Sequence, residues 1–155
     1  MRILSIDIGI VNFGMTEYCT LKQRFLGFHI IKVKGSKDLV KEMKRMSESE
    51  PFKLADVILI ENQMRQCMKT MAVSLRCFNF EKTVCVAPQS IKRYFKTSRK
   101  SHLKNKKAAI EESVKHMHPA FLSKFQKLKK KDDIADCVLQ TIWFINVKLP
   151  VAKST

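Results

Sequence analysis

Apolar positions along this chain follow two periods in turn. Residues 2–8, RILSIDI, form an apolar run of strand length that ends on an acid, and Gly9 and Gly14 punctuate the turn that follows. Residues 13–20 and 24–34 read as two more strands. Phe28, Ile30, Ile31 and Val33 suit a pleated surface, and a short polar link joins the pair as in a meander. The period then lengthens. Leu39, Val40, Met43 and Met46 share a helix face, which predicts a helix from an N-cap at Ser36 to about Ser49, closed by Pro51. Residues 56–61, DVILIE, are apolar on both faces and predict a buried, central strand. Met64, Met68, Met71, Leu75 and Phe78 recur at helical spacing over 64–80. That stripe suits core, with a seam between two copies of the chain as its second use. Residues 83–87, TVCVA, are a short strand stopped by Pro88. Helical patterns follow over 89–97 and 104–117, Pro119 breaks the chain, and a last helix spans 132–148.

Three hairpin-linked strands followed by strand–helix alternation predict an α/β protein with a mixed five-stranded sheet and helices on its faces. No repeat, low-complexity tract or linker interrupts the pattern, so residues 1–155 are expected to form one domain. A chain of this length buries roughly two-thirds of its unfolded surface and needs no disulfide framework.

Charge changes the picture. Thirty Lys and Arg stand against fourteen Asp and Glu, a formal +16. Such a field attracts a polyanion, with nucleic acid ahead of an anionic membrane. No apolar run reaches the ~18 residues of a membrane span. The opening Met1-Arg2-Ile3-Leu4-Ser5-Ile6-Asp7 places an acid where a signal peptide is apolar. Cys19, Cys67, Cys77, Cys85 and Cys137 are odd in number and form no CxxC pair, which reads as free thiols in a reducing intracellular compartment. His29, His102, His116 and His118 show no ligand spacing relative to them, so zinc is not expected.

Four acids stand out. Asp7 ends the first strand, Glu61 ends the DVILIE strand, and Asp133 and Asp136 lie three apart in the last helix, on one stripe with Gln140. An acid beside apolar neighbours at a strand end is costly to bury unless something neutralises it. A divalent cation does so: Mg²⁺ takes hard oxygen ligands and shares them with a phosphate, and two such ions can serve both sides of a phosphodiester. Each acid also has a plainer reading. Asp132 or Asp133 can serve as an N-cap, and Glu61 as a surface-edge acid. Their order, in a chain otherwise so basic, favours the metal.

Five segments carry a resemblance. Ser5-Ile6-Asp7-Ile8-Gly9-Ile10-Val11-Asn12-Phe13-Gly14 resembles the opening motif of RuvC-like and fungal mitochondrial resolvases. Ile60-Glu61-Asn62-Gln63 resembles their second acidic motif, and Lys131-Asp132-Asp133-Ile134-Ala135-Asp136 their last. Pro88-Gln89-Ser90-Ile91-Lys92 is similar to a Pro-x-x-Val-Lys segment of RuvC, and Asn105-Lys106-Lys107 resembles a basic segment of poxvirus resolvases that carries an active-site lysine. The likeness runs from Arg2 to about Val147 and points to the Holliday junction resolvases of poxviruses and other large cytoplasmic DNA viruses. It implies the RNase H-like fold with helices on both faces of the sheet, a homodimer, Mg²⁺ with Mn²⁺ as a substitute, and paired incisions in a four-way DNA junction in the host cytoplasm. By position it makes Asp7, Glu61, Asp133 and Asp136 metal ligands and Lys106 the active-site lysine, with Lys107 second. Asp132 is an additional acid, i, i+4 to Asp136, which leaves open whether Asp132 or Asp133 is the ligand; with Asp133 as the ligand, Asp132 is expected to cap the last helix. RuvC has a Gly-rich loop after this segment, and no such loop follows Lys92 here.

The basic residues cluster. No acid occurs between Lys82 and Ile110, a stretch holding nine Lys or Arg, among them Lys92, Arg93, Lys100, Lys104, Lys106 and Lys107. Lys124, Lys127, Lys129, Lys130 and Lys131 put five more in eight residues, directly before the acidic pair. Phosphates drawn to that tract would lie beside the metals, bound without sequence reading. Lys92, Arg93, Lys104, Lys107 and Lys129 to Lys131 are the expected DNA contacts, the alternative being a solvated face. Tyr94 and Phe95 can stack on an opened base or belong to the core. Two rival functions share this surface: a non-catalytic branched-DNA-binding module, which leaves the acids unexplained, and an RNase H-type nuclease acting on RNA–DNA hybrids. A sugar-kinase or actin-like ATPase also opens on D-x-G, but needs two such domains and phosphate loops absent here.

Overall fold

A computed structural model describes residues 1–33, 38–99 and 101–149. Five strands, β1 (Arg2–Ile8), β2 (Asn12–Cys19), β3 (Arg24–Lys32), β4 (Val57–Glu61) and β5 (Thr83–Val86), form one sheet in the order β3-β2-β1-β4-β5. β1, β2 and β3 are the expected antiparallel meander, while β1–β4 and β4–β5 are parallel. The helices are α1 (Leu39–Ser47), α2 (Glu50–Leu54), α3 (Gln66–Phe78), α4 (Pro88–Tyr94), α5 (His102–Val114), α6 (Pro119–Gln126) and α7 (Asp132–Val147).

The period of two along β1 and β4 sorts side chains between two cores. Leu4, Ile6, Ile8, Ile58 and Ile60 face one side and pack with Met43, Met46, Phe52, Met71 and Leu75 of α1 to α3. Ile3 and Leu59 face the other side and pack with Ile91, Ala109, Phe121, Phe125, Ile134 and Val138 of α4 to α7. β4 is sandwiched between β1 and β5, and its Ile58 and Leu59 are fully enclosed, as two-sided apolarity requires.

Several expectations need correction. Pro51, Pro88 and Pro119 each open a helix: all three occupy the first turn of α2, α4 and α6, where the missing N–H has no helical partner to lose. Reading Pro51 and Pro119 only as breakers hides α2 and α6. Ser36 lies outside the described residues, and the carboxylate of Asp38 caps α1 by accepting from the Lys41 N–H at 3.0 Å. The methionine stripe is core only in part. Met71 and Leu75 are buried, but Met64 precedes α3 and is 88% exposed. Asp132 does not cap α7. Lys131 holds the cap position, no side chain caps, and Asp132 is already the first helical residue.

Candidate active site

The parallel register of β1 and β4 pairs Ile6 with Ile60, so Asp7 and Glu61 come next, side by side at the carboxyl ends of their strands. Both share the parity of Ile3 and Leu59 and therefore face the α7 side of the sheet. The carboxyl ends of parallel strands are the usual place for ligands in open α/β sheets. α7 crosses β1 and β2 here with α5 beside it. Its first two turns bring Asp133 and Asp136 to the same place, and Gly14 of β2 permits the approach. A Cβ on Gly14 would stand 2.9 Å from the Asp133 Cβ and 3.0 Å from its carbonyl oxygen. Behind them, the Cys137 thiol donates to the Gly14 carbonyl at 3.3 Å.

The four acids act on one another. Burial, then the charges of Asp136 and Asp133, push the Asp7 carboxyl up to about 8. Burial and Asp7 push Glu61 up to about 7, against a smaller pull from Lys92. Crowding by the surrounding protein and the charge of Glu61 push Asp136 up to about 7. Asp136 nevertheless meets solvent, so for this residue the repulsion from neighbouring acids is the firmer cause. Carboxylates held this close without full compensation are a donor set waiting for positive charge.

Lysines supply part of it. The Lys130 ammonium donates to both oxygens of the buried Asp133, at 2.6 and 2.8 Å. Partial burial opposes its charge, but those hydrogen bonds and the charges of Asp133, Asp132 and Asp7 outweigh the effect and raise its pKa above the ordinary lysine value. Lys106 of α5 donates to Asp132 at 2.5 Å. Burial pushes Asp132 up, but the Lys106 hydrogen bond and the Lys130 charge prevail and hold it below the ordinary carboxylate range. With Asp133 turned to Lys130 and Asp132 to Lys106, the site is an open arc of carboxylates: among the described residues no three His, Cys, Asp or Glu side chains already stand as a coordination shell.

Beside the arc lies a cleft of about 150 Å³ whose wall includes Glu61, Asp136, Gln140, Lys92, His102, Asn105 and Lys106. Gln140 thus joins the stripe its spacing predicts, while His102 carries no sequence signal that would have singled it out. Lys107 stays outside the cleft: it is 80% exposed and faces Glu111 at 3.9 Å, so of the two lysines only Lys106 reaches the acids. Lys106, Lys129, Lys130 and Lys131 line one shallow depression with Asp132. Arg93, Lys104 and Lys129 are exposed, and Lys131 turns back to the Leu128 carbonyl at 2.6 Å. Lys100 lies outside the described residues. Tyr94 divides the two readings given for it: it is 45% exposed, and its hydroxyl accepts from Asn146 at 3.2 Å, while Phe95 packs against the core.

The sequence model of one protein family, described as Poxvirus A22 protein, matches residues 1–147. The chain belongs to that family. No curated protein sequence matches it significantly. Among solved structures, the fowlpox virus resolvase in complex with its substrate Holliday junction DNA aligns with a TM-score of 0.74 at 18% identity, covering 96% of this chain and 99% of that one. Thermus thermophilus RuvC aligns at 0.59 and 13% identity, over 96% and 97% of the two chains. RuvC from the same bacterium in complex with a Holliday junction substrate aligns at 0.53 and 14%, over 94% and 95%. The fold of the A22-family chain is therefore RNase H-like, of the RuvC and poxvirus resolvase type, with the five-stranded mixed sheet its pattern predicts.

Proposed function

We propose that this chain is a structure-specific endodeoxyribonuclease that resolves four-way DNA junctions by divalent-metal-dependent phosphodiester hydrolysis. The observation that carries the reading is the arc of Asp7, Glu61, Asp133 and Asp136 at the strand ends, opening onto a cleft walled by Lys92 and Lys106. Two of the similar structures contain a Holliday junction, which supports the same substrate here. Residues 1–155 would act as one nuclease domain, paired in a homodimer so that two sites meet two strands. The poxvirus family of the chain supports the host cytoplasm as its setting.

The donor chemistry fits Mg²⁺, with Mn²⁺ as a substitute: four carboxylates, three of them raised by crowding and mutual repulsion. Asp7, Glu61, Asp136 and Asp133, once Lys130 releases it, would hold the metal. Bound there, it would supply Lewis acidity to a phosphate and lower the pKa of water. The chain's own contribution is placement. Lys92 and Lys106 set two ammonium groups across the cleft from the acids, where they bind phosphate oxygens and offset charge that builds up on them. Arg93, Lys104 and Lys107 extend that grip along the backbone without reading bases.

The deciding assay offers a four-way junction, a linear duplex and an RNA–DNA hybrid, each with Mg²⁺ and with EDTA. Paired nicks in the junction alone, abolished by EDTA, are expected. Cutting of the hybrid instead would shift the reading to an RNase H-type nuclease, and tight junction binding without nicking would leave a binding module.

Affinity should rest on phosphate contacts. Replacing Lys129, Lys130 and Lys131 together by Gln is expected to weaken junction binding and to lower the magnitude of the salt slope by roughly one unit for each phosphate no longer neutralised. A slope equal to wild type, measured by titration at several salt concentrations, would reduce the tract to a solvated face.

A further inference from the structure

Adjacent positions on a helix of 3.6 residues per turn point about 100° apart. Asp132 and Asp133 therefore face different partners. Asp133 lies under Gly14 of β2, with Lys130 on its oxygens. Asp132 faces α5 and meets Lys106, 26 residues distant in sequence, at 2.5 Å. Capping does not explain this carboxylate, since it does not cap α7, and neither does solvation, since its side chain is only 13% exposed.

A lysine on a four-carbon stem holds no single position by itself, and its ammonium goes to the strongest nearby negative charge. Without Asp132, the carboxylates left to Lys106 are Glu61 and Asp136, which share its cleft. Drawn onto them, Lys106 would block the acids and leave the phosphate path. Asp132 offers the counter-attraction in the neighbouring depression, which Lys106 also lines and where Lys129, Lys130 and Lys131 gather. Lys130 lies farther from Asp132, at 4.0 Å, and is engaged by Asp133. We propose that Asp132 is a positioning residue for Lys106: it holds the ammonium over the phosphate path and off the acids that cut. The role rests on the resolvase reading above, in which Asp132 is not a ligand.

The test is a cycle of Asp132→Asn, Lys106→Met and the double variant, with Asp132→Glu as a charge-keeping control. Single-turnover junction cleavage, junction affinity in EDTA and Tm are measured for each. Limited acylation by an amine-reactive ester, read by peptide mass spectrometry, reports how freely Lys106 reacts relative to the exposed Lys104 on the same helix. Asp132→Asn is expected to slow cleavage on the order of 10- to 100-fold, the usual penalty for a misplaced group, with affinity and Tm near wild type and Lys106 acylated faster. Asp132→Glu should recover most of the rate. The double variant should cut no more slowly than Lys106→Met alone, because Asp132 acts only through that lysine. Wild-type cleavage by Asp132→Asn would overturn the proposal, as would a double variant whose losses multiply. If the wild-type protein cuts no junction, the resolvase reading fails, and the acylation result still decides the contact: unchanged Lys106 reactivity in Asp132→Asn overturns it.

Discussion

Glu61→Gln is expected to leave the fold and junction binding in place and to slow cutting by about 10³-fold or more, since loss of a charged ligand costs several kcal/mol of stabilisation and each 1.4 kcal/mol is tenfold in rate. The substitution keeps volume and hydrogen-bonding shape, so the loss isolates charge. A second signature follows from Glu61 standing at about 7. A carboxyl whose folded pKa is raised contributes stability that is fully present below its unfolded pKa and is lost as pH rises through the folded one. For Glu61 that window runs from about 4.5 to about 7. In EDTA at pH 8 the glutamine variant should therefore melt above wild type, and the gap should close toward pH 4.5. Added Mg²⁺ should raise the wild-type Tm and raise that of the variant much less, because only an intact site binds the ion in the native state. A variant that cuts at the wild-type rate, or gains no metal-free stability at pH 8, would remove Glu61 from the acidic arc.

Much of this arrangement is legible in the sequence, for identifiable reasons. The strands are short apolar runs of period two, and that parity both sorts the two cores and turns Asp7 and Glu61 to one side. The i, i+3 spacing places Asp133 and Asp136 on one face of α7. What local pattern does not carry is long-range pairing. The contact of Asp132 with Lys106 spans 26 residues, and nothing near Asp132 announces it. An acid at a helix start looks like a cap because Asp is among the favoured N-cap residues, and here tertiary geometry overrides that preference. Lys130 shows the same limit. Its place in a basic tract suggests a phosphate contact, yet its ammonium sits on Asp133, so its hold on DNA competes with an internal ion pair. Pro51 and Pro119 mislead differently, since a proline marks a boundary without saying whether a helix ends or begins there.

Gly14 should prove as sensitive as the acids. It lies within β2, paired with Asp7 across the antiparallel register and covered by α7. Its lack of a side chain lets the Asp133 backbone approach, and a methyl group would have to share space with a Cβ at 2.9 Å and a carbonyl oxygen at 3.0 Å. Neither neighbour is the free end of a flexible chain, so β2 or the start of α7 must move. Overpacking of this kind costs about 1–3 kcal/mol, which for a chain of this size lowers Tm by roughly 2–4 °C per kcal/mol. The functional loss should exceed the loss of stability. Moving the start of α7 carries Asp133 away from Asp7, and a displacement of about 1 Å costs on the order of 10²-fold in rate. Gly14→Ala is therefore expected to be folded at 25 °C, to melt several degrees below wild type, and to cut a four-way junction at about one-hundredth of the wild-type rate with little change in binding. An equally destabilised control separates the two effects. Leu75→Ala empties core on the far face of the sheet and should lower Tm by at least as much while retaining cleavage at 25 °C. If Gly14→Ala cuts as well as that control, the close approach of α7 to β2 sets stability alone and does not position the acids.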